Sequence, residues 1–298
     1  KNNSHNLDHA IAGAVSGFVT RFACQPLDVI KIRFQIFLKR ISSLYKYHSF
    51  LQAFYLILKE EGITAFWKGH IPAQLLSIVY GTNFIIYFKK KNKFYKLLNE
   101  WKYSTNFIAG ASAGFLATIV SFPFDTIRTR LVAQSNNYTI YKGILHSCRH
   151  CIIQHESPKV FFYGLLPTLL QIVPHTGLQF AFYGYVNDKY KKYYNETNIS
   201  FYNSMISGSV AGLLAKTAIY PFDLSRKRLQ IQGFRNGRKG FGKGLIDCLK
   251  LTIKEEGIKG LFKGLVPSQL KATMTTALHY TVYEQTLIAL KALSKTKI

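Results

Sequence analysis

Long apolar stretches alternate with shorter amphipathic ones along this chain, three times over. Stretches 69–88, 105–124 and 164–187 contain no Asp, Glu, Lys or Arg, and about 20 mostly apolar residues suffice to cross the hydrocarbon core of a bilayer as a helix. The pattern predicts paired long helices over 7–37 and 72–98, 105–134 and 167–192, and 201–232 and 267–292. Between the members of each pair lies a shorter segment, 49–60, 143–155 and 244–255. In the first of these, Leu51, Phe54, Tyr55 and Leu58 fall on one helical face. These segments are too short to span and read as surface helices lying at the interface. The expected fold class is therefore an all-α membrane protein of six spans, with a short amphipathic helix between the two spans of each pair.

The three pairs are copies of one unit. Pro26-Leu27-Asp28-Val29-Ile30-Lys31-Ile32-Arg33-Phe34-Gln35 returns as Pro123-Phe124-Asp125-Thr126-Ile127-Arg128-Thr129-Arg130 and again as Pro221-Phe222-Asp223-Leu224-Ser225-Arg226-Lys227-Arg228-Leu229-Gln230. A second signature follows each block: Phe66-Trp67-Lys68-Gly69, Phe161-Phe162-Tyr163-Gly164 and Leu261-Phe262-Lys263-Gly264. Two motifs repeated in fixed order define a tandem triplication. The units run over 7–99, 104–195 and 201–293 and form a single domain with pseudo-threefold symmetry. Gly13/Gly17, Gly110/Gly114 and Gly208/Gly212 place a small-residue face at the same point of each unit, where membrane helices can approach closely. Pro26, Pro123 and Pro221 should each kink their helix.

Charge narrows the partners. The 298 residues carry 39 Lys and Arg against 14 Asp and Glu, a net charge of +25, which points to anionic ligands or lipids. The apolar stretches disfavour a soluble nucleic-acid binder, so no nucleic-acid partner is expected. Cys148 and Cys151 stand near His146 and His150, but no second ligand pair follows, so no metal site or other cofactor is expected. No arrangement of nucleophile, base and acid repeats, which disfavours an enzyme.

Mid-span cations mark a candidate binding cavity. Aligned on the repeats, Arg21, Thr118 and Lys216 share one level, and Leu76, Gln171 and Lys271 share another. Tyr80, His175 and Thr275 follow one turn later. Arg21, Lys216 and Lys271 have no acid at their own level, and cations in a membrane core imply an anionic ligand. A diphosphate suits them, with Arg21 placed for bidentate contact. Tyr80, His175 and His279 can stack on or hydrogen-bond a heteroaromatic ring, and Gln171 and Gln179 can read its polar edge. A solute that joins a diphosphate to a heteroaromatic ring has both parts.

The blocks with their downstream aromatic-basic-glycine triplets resemble the mitochondrial carrier family over nearly the whole chain. The resemblance implies a monomeric six-helix bundle in the mitochondrial inner membrane, with alternating access to a central cavity and the short helices on the matrix side. It pairs Asp28 with Arg128, Asp125 with Arg226 and Asp223 with Lys31 as a matrix gate. Gln35 and Gln230 brace two of these pairs. Val132 occupies the third brace position, so two braces are expected rather than three. At the cytosolic ends the family's aromatic-acid-x-x-base motif is eroded to Phe88-Lys89, Tyr183-Gly184 and Tyr283-Glu284, which leaves Lys89 with Glu284, together with the three aromatics, as the expected cytosolic gate. The resemblance also assigns cardiolipin to Trp67-Lys68-Gly69, Gly164 and Phe262-Lys263-Gly264. Four runs, Val19-Thr20-Arg21, Asp28 to Gln35, Ala65 to His70 and Gly177-Leu178-Gln179-Phe180, resemble members that carry thiamine diphosphate (thiamine pyrophosphate). The implied function is exchange of that solute for nucleotides. Carriage of a nucleotide, deoxynucleotide or coenzyme A is the alternative, and a degenerate carrier with a structural or regulatory role is a second.

Overall fold

The computed structural model describes residues 2–36, 49–79, 102–134, 140–153, 157–194, 201–232, 241–242 and 244–295. The elements are α1 (Asn2–Ile36), α2 (Phe50–Glu61), α3 (70–79), α4 (Lys102–Ala133), α5 (Ile144–Ile153), α6 (Leu165–Tyr194), α7 (Phe201–Gln230), α8 (Leu245–Glu256) and α9 (Leu265–Lys295). Most of the helix expected over 72–98 lies outside the described residues, including Tyr80, Phe88 and Lys89.

Each aromatic-glycine signature forms an element that periodicity did not predict. Ile63–Trp67, Pro158–Phe162 and Ile258–Phe262 are single turns of 3-10 helix joining a short helix to the long one after it. Gly62 and Gly257 close α2 and α8 with φ of 79° and 72°. The second copy reaches the same turn differently: the Ser157 hydroxyl accepts from the Lys159 amide, and Pro158 presets the first turn. At its other end α2 begins in a capping box between Ser49 and Gln52, worth about 1 kcal/mol to a marginal helix.

Pro26, Pro123 and Pro221 lie inside α1, α4 and α7, which run through them unbroken. These three helices touch one another pairwise. Around them, α1 packs along α9 and α6 along α7, so the first unit is joined laterally to the third and the second to the third.

Among the described residues no helix is long and apolar enough to cross a membrane. The long helices carry instead a sided pattern. Ile11, Val15, Phe18, Val19 and Phe22 run down one exposed face of α1, while Ala12, Ser16, Thr20 and Cys24 are buried on the other. On α7, Val210, Leu213 and Leu214 are likewise exposed, and Ser207, Ala211 and Ala215 are buried. Small and polar residues inside with large apolar ones outside reverse the arrangement of a water-soluble bundle. Inward-facing Ser, Thr and charged residues lower each helix's average apolarity, although its outer face is greasy. The apolar face of α2 also points outward: Leu51, Phe54, Tyr55 and Leu58 are exposed, and its packed side is Ala53, Ile57 and Glu61.

Candidate functional site

Where α1, α4 and α7 converge, the acids and bases of the triplicated block meet between units. Arg128 bonds Asp28, Arg226 reaches Asp125 at 2.8 Å, and Lys31 reaches Asp223 at 2.7 Å. All three pairings run between different units, so one chain closes the ring by itself. Gln230 donates to Asp125 at 2.6 Å. Gln35 donates to Asp223 at 3.4 Å and to the Tyr220 hydroxyl at 3.0 Å. Beyond these two glutamines, Asp125 also holds Lys227 at 2.9 Å and Asp28 holds Lys271 at 2.5 Å. Lys227 escaped the sequence reading because its counterparts are Ile32 and Thr129, so repetition carries no signal for it.

A second ring lies just beyond the first, built from the last arginine of each block. Arg33 Nε donates to the Val132 carbonyl at 3.2 Å, Arg130 Nε to the Gln230 carbonyl at 3.0 Å and Arg228 Nε to the Gln35 carbonyl at 3.0 Å. Each arginine thereby ties the end of its own long helix to the end of the next. The guanidinium forks are oriented by the short helices: Arg33 is bidentate to Glu61 at 2.7 and 2.8 Å, and Arg228 reaches Glu256 at 2.7 Å. Lys68 shares Glu61, and Lys263 shares Glu256. Burial alone would raise the Glu61 carboxyl, but hydrogen bonds and charge from Arg33, then from Lys68, hold it below its ordinary value. This ring was missed, although its signal was present: an arginine repeated in all three blocks, and a glutamate before each aromatic turn.

The glycines of the aromatic signature fit directly against these blocks. A Cβ on Gly164 would stand 2.7 Å from the Arg226 carbonyl oxygen, and one on Gly69 would stand 3.1 Å from the Arg128 carbonyl oxygen. Gly164 also has φ of 89°, where a side chain is strained. Gly164→Ala is expected to cost about 2–4 kcal/mol through strain and overpacking, read as a lower thermal midpoint in detergent. Gly62→Ala, with φ of 79° and open space around it, is expected to cost less. Equal losses would remove close approach as the cause.

Above the ring stand the predicted cavity cations. Arg21 donates to the Ala73 carbonyl at 2.8 Å, and Lys216 to the Ser268 carbonyl at 2.7 Å. Neither forms an ion pair among the described residues. The reading of Lys271 as a cation without an acid is corrected: its ammonium reaches down one level to Asp28, a contact its long side chain can make although the two Cα levels differ. Gln171 is half-buried, with its Oε1 buried and without a hydrogen-bond partner among the described residues, and the Thr275 hydroxyl is in the same position. His175 is half-buried, Gln179 is exposed, and His279 is exposed beside the Tyr280 ring at 6.2 Å.

The profile of mitochondrial carrier proteins matches residues 2–98, 99–194 and 197–292. This chain belongs to the mitochondrial carrier family. It is 42% identical over 296 residues to the mitochondrial thiamine pyrophosphate carrier of Homo sapiens, covering 95% of this chain and 92% of that protein. The Bos taurus protein of the same name is 43% identical over 293 residues, covering 94% and 91%. The mitochondrial thiamine pyrophosphate carrier 1 of Coccidioides immitis is 34% identical over 305 residues, covering 96% and 94%.

At the other end of the carrier from the ring, the predicted cytosolic set is seen in part. Glu284 is exposed, and its expected partner Lys89 lies outside the described residues, as does Phe88. Tyr183 is half-buried. The Tyr283 hydroxyl meets His9 Nδ1 at 2.6 Å, which links the starts of α1 and the last turns of α9 through a histidine the sequence reading passed over.

Of the residues assigned to lipid, Gly69, Gly164 and Gly264 lie against a neighbouring unit, while the aromatics and lysines pack within their own. Trp67 packs on Phe22 with ring centroids 5.3 Å apart, and Phe262 stacks on Tyr220 at 6.5 Å. Lys68 and Lys263 are already bonded to Glu61 and Glu256, so a lipid phosphate there would share them. At Gly164 a cavity of about 310 Å³ opens between the first turn of α6 and Gly244, which precedes α8. Two helix N-termini, those of α6 and α8, meet at that cavity.

Proposed function

We propose that this carrier moves thiamine pyrophosphate across the mitochondrial inner membrane, in exchange for a nucleotide or other phosphate compound, by alternating access. The observation that carries the reading is the pair Arg21 and Lys216, two mid-helix cations whose hydrogen bonds go to backbone carbonyls rather than carboxylates. An ammonium or guanidinium held in this way keeps its charge available to an incoming anion. A diphosphate satisfies both, while the unpartnered Gln171 Oε1 accepts from the amino group of a heteroaromatic ring. The names of the relatives support that solute, and the absence of any repeated catalytic arrangement favours transport over enzymatic chemistry.

The outward apolar stripes of α1 and α7 suit a protein bathed in lipid, with the polar interior enclosed by six spans. The Asp28, Asp125 and Asp223 pairs form the matrix gate. Formed as they are here, they close the matrix side and leave the cavity facing the cytosolic ends. His9, Tyr183, Tyr283 and Glu284 contribute to the opposite gate. The gate completes itself within one chain, so the functional unit is a monomer. Cardiolipin head groups bind at the aromatic-glycine junctions, the cavity beside Gly164 among them.

Uptake into proteoliposomes loaded with competing solutes tests the assignment. Thiamine pyrophosphate is expected to enter and to be exchanged. Uptake of ADP or coenzyme A with none of thiamine pyrophosphate would overturn the solute while leaving the carrier standing. Arg21→Ala is expected to weaken uptake roughly ten- to a hundredfold, the value of about 1.5–3 kcal/mol for a charge-assisted hydrogen bond. An unchanged half-saturation concentration would remove Arg21 from the site.

A further inference from the structure

Gln25, Phe122 and Tyr220 stand immediately before the three kink prolines and three residues before the acids Asp28, Asp125 and Asp223. On a helix that spacing puts each of them on the face of its own acid, toward the base that the neighbouring unit supplies. All three are buried. Arg128 donates to Gln25 Oε1 at 3.2 Å while it also holds Asp28. Gln25 Nε2 in turn donates at 3.2 Å to the carbonyl of Lys68, the residue that ends the aromatic turn of the first unit. In the third unit the Tyr220 hydroxyl makes both contacts: it accepts from Gln35 of the first unit at 3.0 Å and donates to the Lys263 carbonyl at 2.7 Å. Gln35 shares the Asp223 carboxylate with Lys31. We infer that Gln25 and Tyr220 are positioning residues for the matrix gate, each tying a gate side chain of the neighbouring unit to the aromatic turn of its own.

The carbonyls they bond belong to the peptides that join Lys68 to Gly69 and Lys263 to Gly264, and those glycines press on the same neighbours. A Cβ on Gly69 would stand 3.1 Å from the Arg128 carbonyl oxygen and 3.2 Å from Arg128 Cγ. One on Gly264 would stand 2.8 Å from the Tyr220 hydroxyl, 3.2 Å from Gln35 Cγ and 3.3 Å from the Lys31 carbonyl oxygen. The side chain before the proline, the glycine peptide and the gate residue next door thus meet in one junction at each of these two seams. Tilting α3 or α9 about its first turn moves that peptide, and with it the hydrogen bond that steers the gate. The second unit joins its seam differently. Phe122 offers only its ring, over which the Arg226 guanidinium lies 5.6 Å from the centroid, and the aromatic turn is held by the Thr126 hydroxyl, which donates to the Phe161 carbonyl at 2.7 Å. A ring can support a cation but cannot pass a hydrogen bond on to a carbonyl. This role for Gln25 and Tyr220 rests on the reading of the ion-pair ring as the matrix gate.

Tyr220→Phe removes only the hydroxyl, keeps a ring to stack on Phe262 and installs the residue that the second unit already uses. Gln25→Leu removes both hydrogen bonds at the other seam with little change of size. In proteoliposomes exchanging thiamine pyrophosphate, with rates expressed per folded carrier, each variant is expected to lower the maximal rate roughly five- to twentyfold and to keep the half-saturation concentration within about twofold. Combinations add a readout that a general loss of stability would not give. Without Gln35 the Tyr220 hydroxyl has no gate residue to steer, so Tyr220→Phe combined with Gln35→Met is expected to be no slower than Gln35→Met alone. Tyr220→Phe combined with Gln25→Leu acts at separate seams, and those losses are expected to multiply. Unchanged maximal rates, a raised half-saturation concentration in place of a lowered rate, or multiplying losses for Tyr220→Phe with Gln35→Met would each overturn the inference. Asp125→Asn measured alongside separates it from the gate reading: full exchange by that variant overturns the gate and the inference with it, whereas loss of exchange there beside full rates in Tyr220→Phe and Gln25→Leu overturns the inference alone. If the unmodified carrier takes up ADP and not thiamine pyrophosphate, the same rates are read with ADP.

Discussion

Asp125→Asn is expected to abolish measurable transport, a loss of at least roughly a hundredfold, and to destabilise the chain by about 3–5 kcal/mol, the cost of leaving a buried charge without its partner. Asp125 is the most heavily engaged of the three acids. It is buried, and it holds Arg226 at 2.8 Å, Lys227 at 2.9 and 3.1 Å and Gln230 at 2.6 Å. Asparagine has nearly the same shape but no charge, so Arg226 and Lys227 would face one another without a counter-ion. Repulsion between two cations from α7, directed at α4, opposes closure of the ring at that seam. Thermal unfolding in detergent and uptake by proteoliposomes measure the two effects. A full-length Asp125→Asn protein with an unchanged midpoint would show that the ring does not hold these helices together. Exchanging the charges of Asp223 and Lys31, the pair with one cation and one acid, is the matching rescue experiment.

Arg228→Lys carries the second large effect, and here the charge is retained. Arg228 is fully buried, and its fork reaches three places at once: the Gln35 carbonyl at 3.0 Å, the Thr252 hydroxyl at 2.7 Å and Glu256 at 2.7 Å. A lysine ammonium on a flexible stem can reach the glutamate but cannot span all three. The Gln35 carbonyl, at the seam between the first and third units, would then be left without this donor. Two lost hydrogen bonds and an unsatisfied buried acceptor amount to about 2–4 kcal/mol, or roughly 5–10 °C in the unfolding midpoint. Lys250→Ala, at an exposed position of α8, is expected to leave the midpoint unchanged. If Arg228→Lys behaves in the same way, the second ring contributes to neither cohesion nor stability.

The sequence alone determined the repeating unit, the class of the fold and the partners in the ring of ion pairs. Helical periodicity is local, so the long and short helices that lie within the described residues could be read from it to within a few residues. Repetition supplied what periodicity lacks: an acid, a base and a glutamine at matching places in three copies imply symmetry, and symmetry implies partners in neighbouring units. Asp28, Asp125 and Asp223 therefore found Arg128, Arg226 and Lys31. The same logic could have found Arg33, Arg130 and Arg228, which recur just as regularly. It could not have placed Lys227 or Lys271 beside the acids of the ring, because neither has a basic equivalent among the other two units at its own position.

Tertiary structure decided those two. Lys271 seemed to lack an acid because levels were compared Cα by Cα, whereas a lysine can extend by several ångströms and its partner is chosen by which faces of α1 and α9 are pressed together. Tyr220 and Gln25 are a further case: unrelated residues at one repeat position, they both bond the carbonyl that ends an aromatic turn, Tyr220 to Lys263 at 2.7 Å and Gln25 to Lys68 at 3.2 Å. Sequence specifies what recurs and what is periodic. Which lone side chain reaches across to complete an incomplete copy depends on helix rotation and distance, and those exist only once the helices have packed.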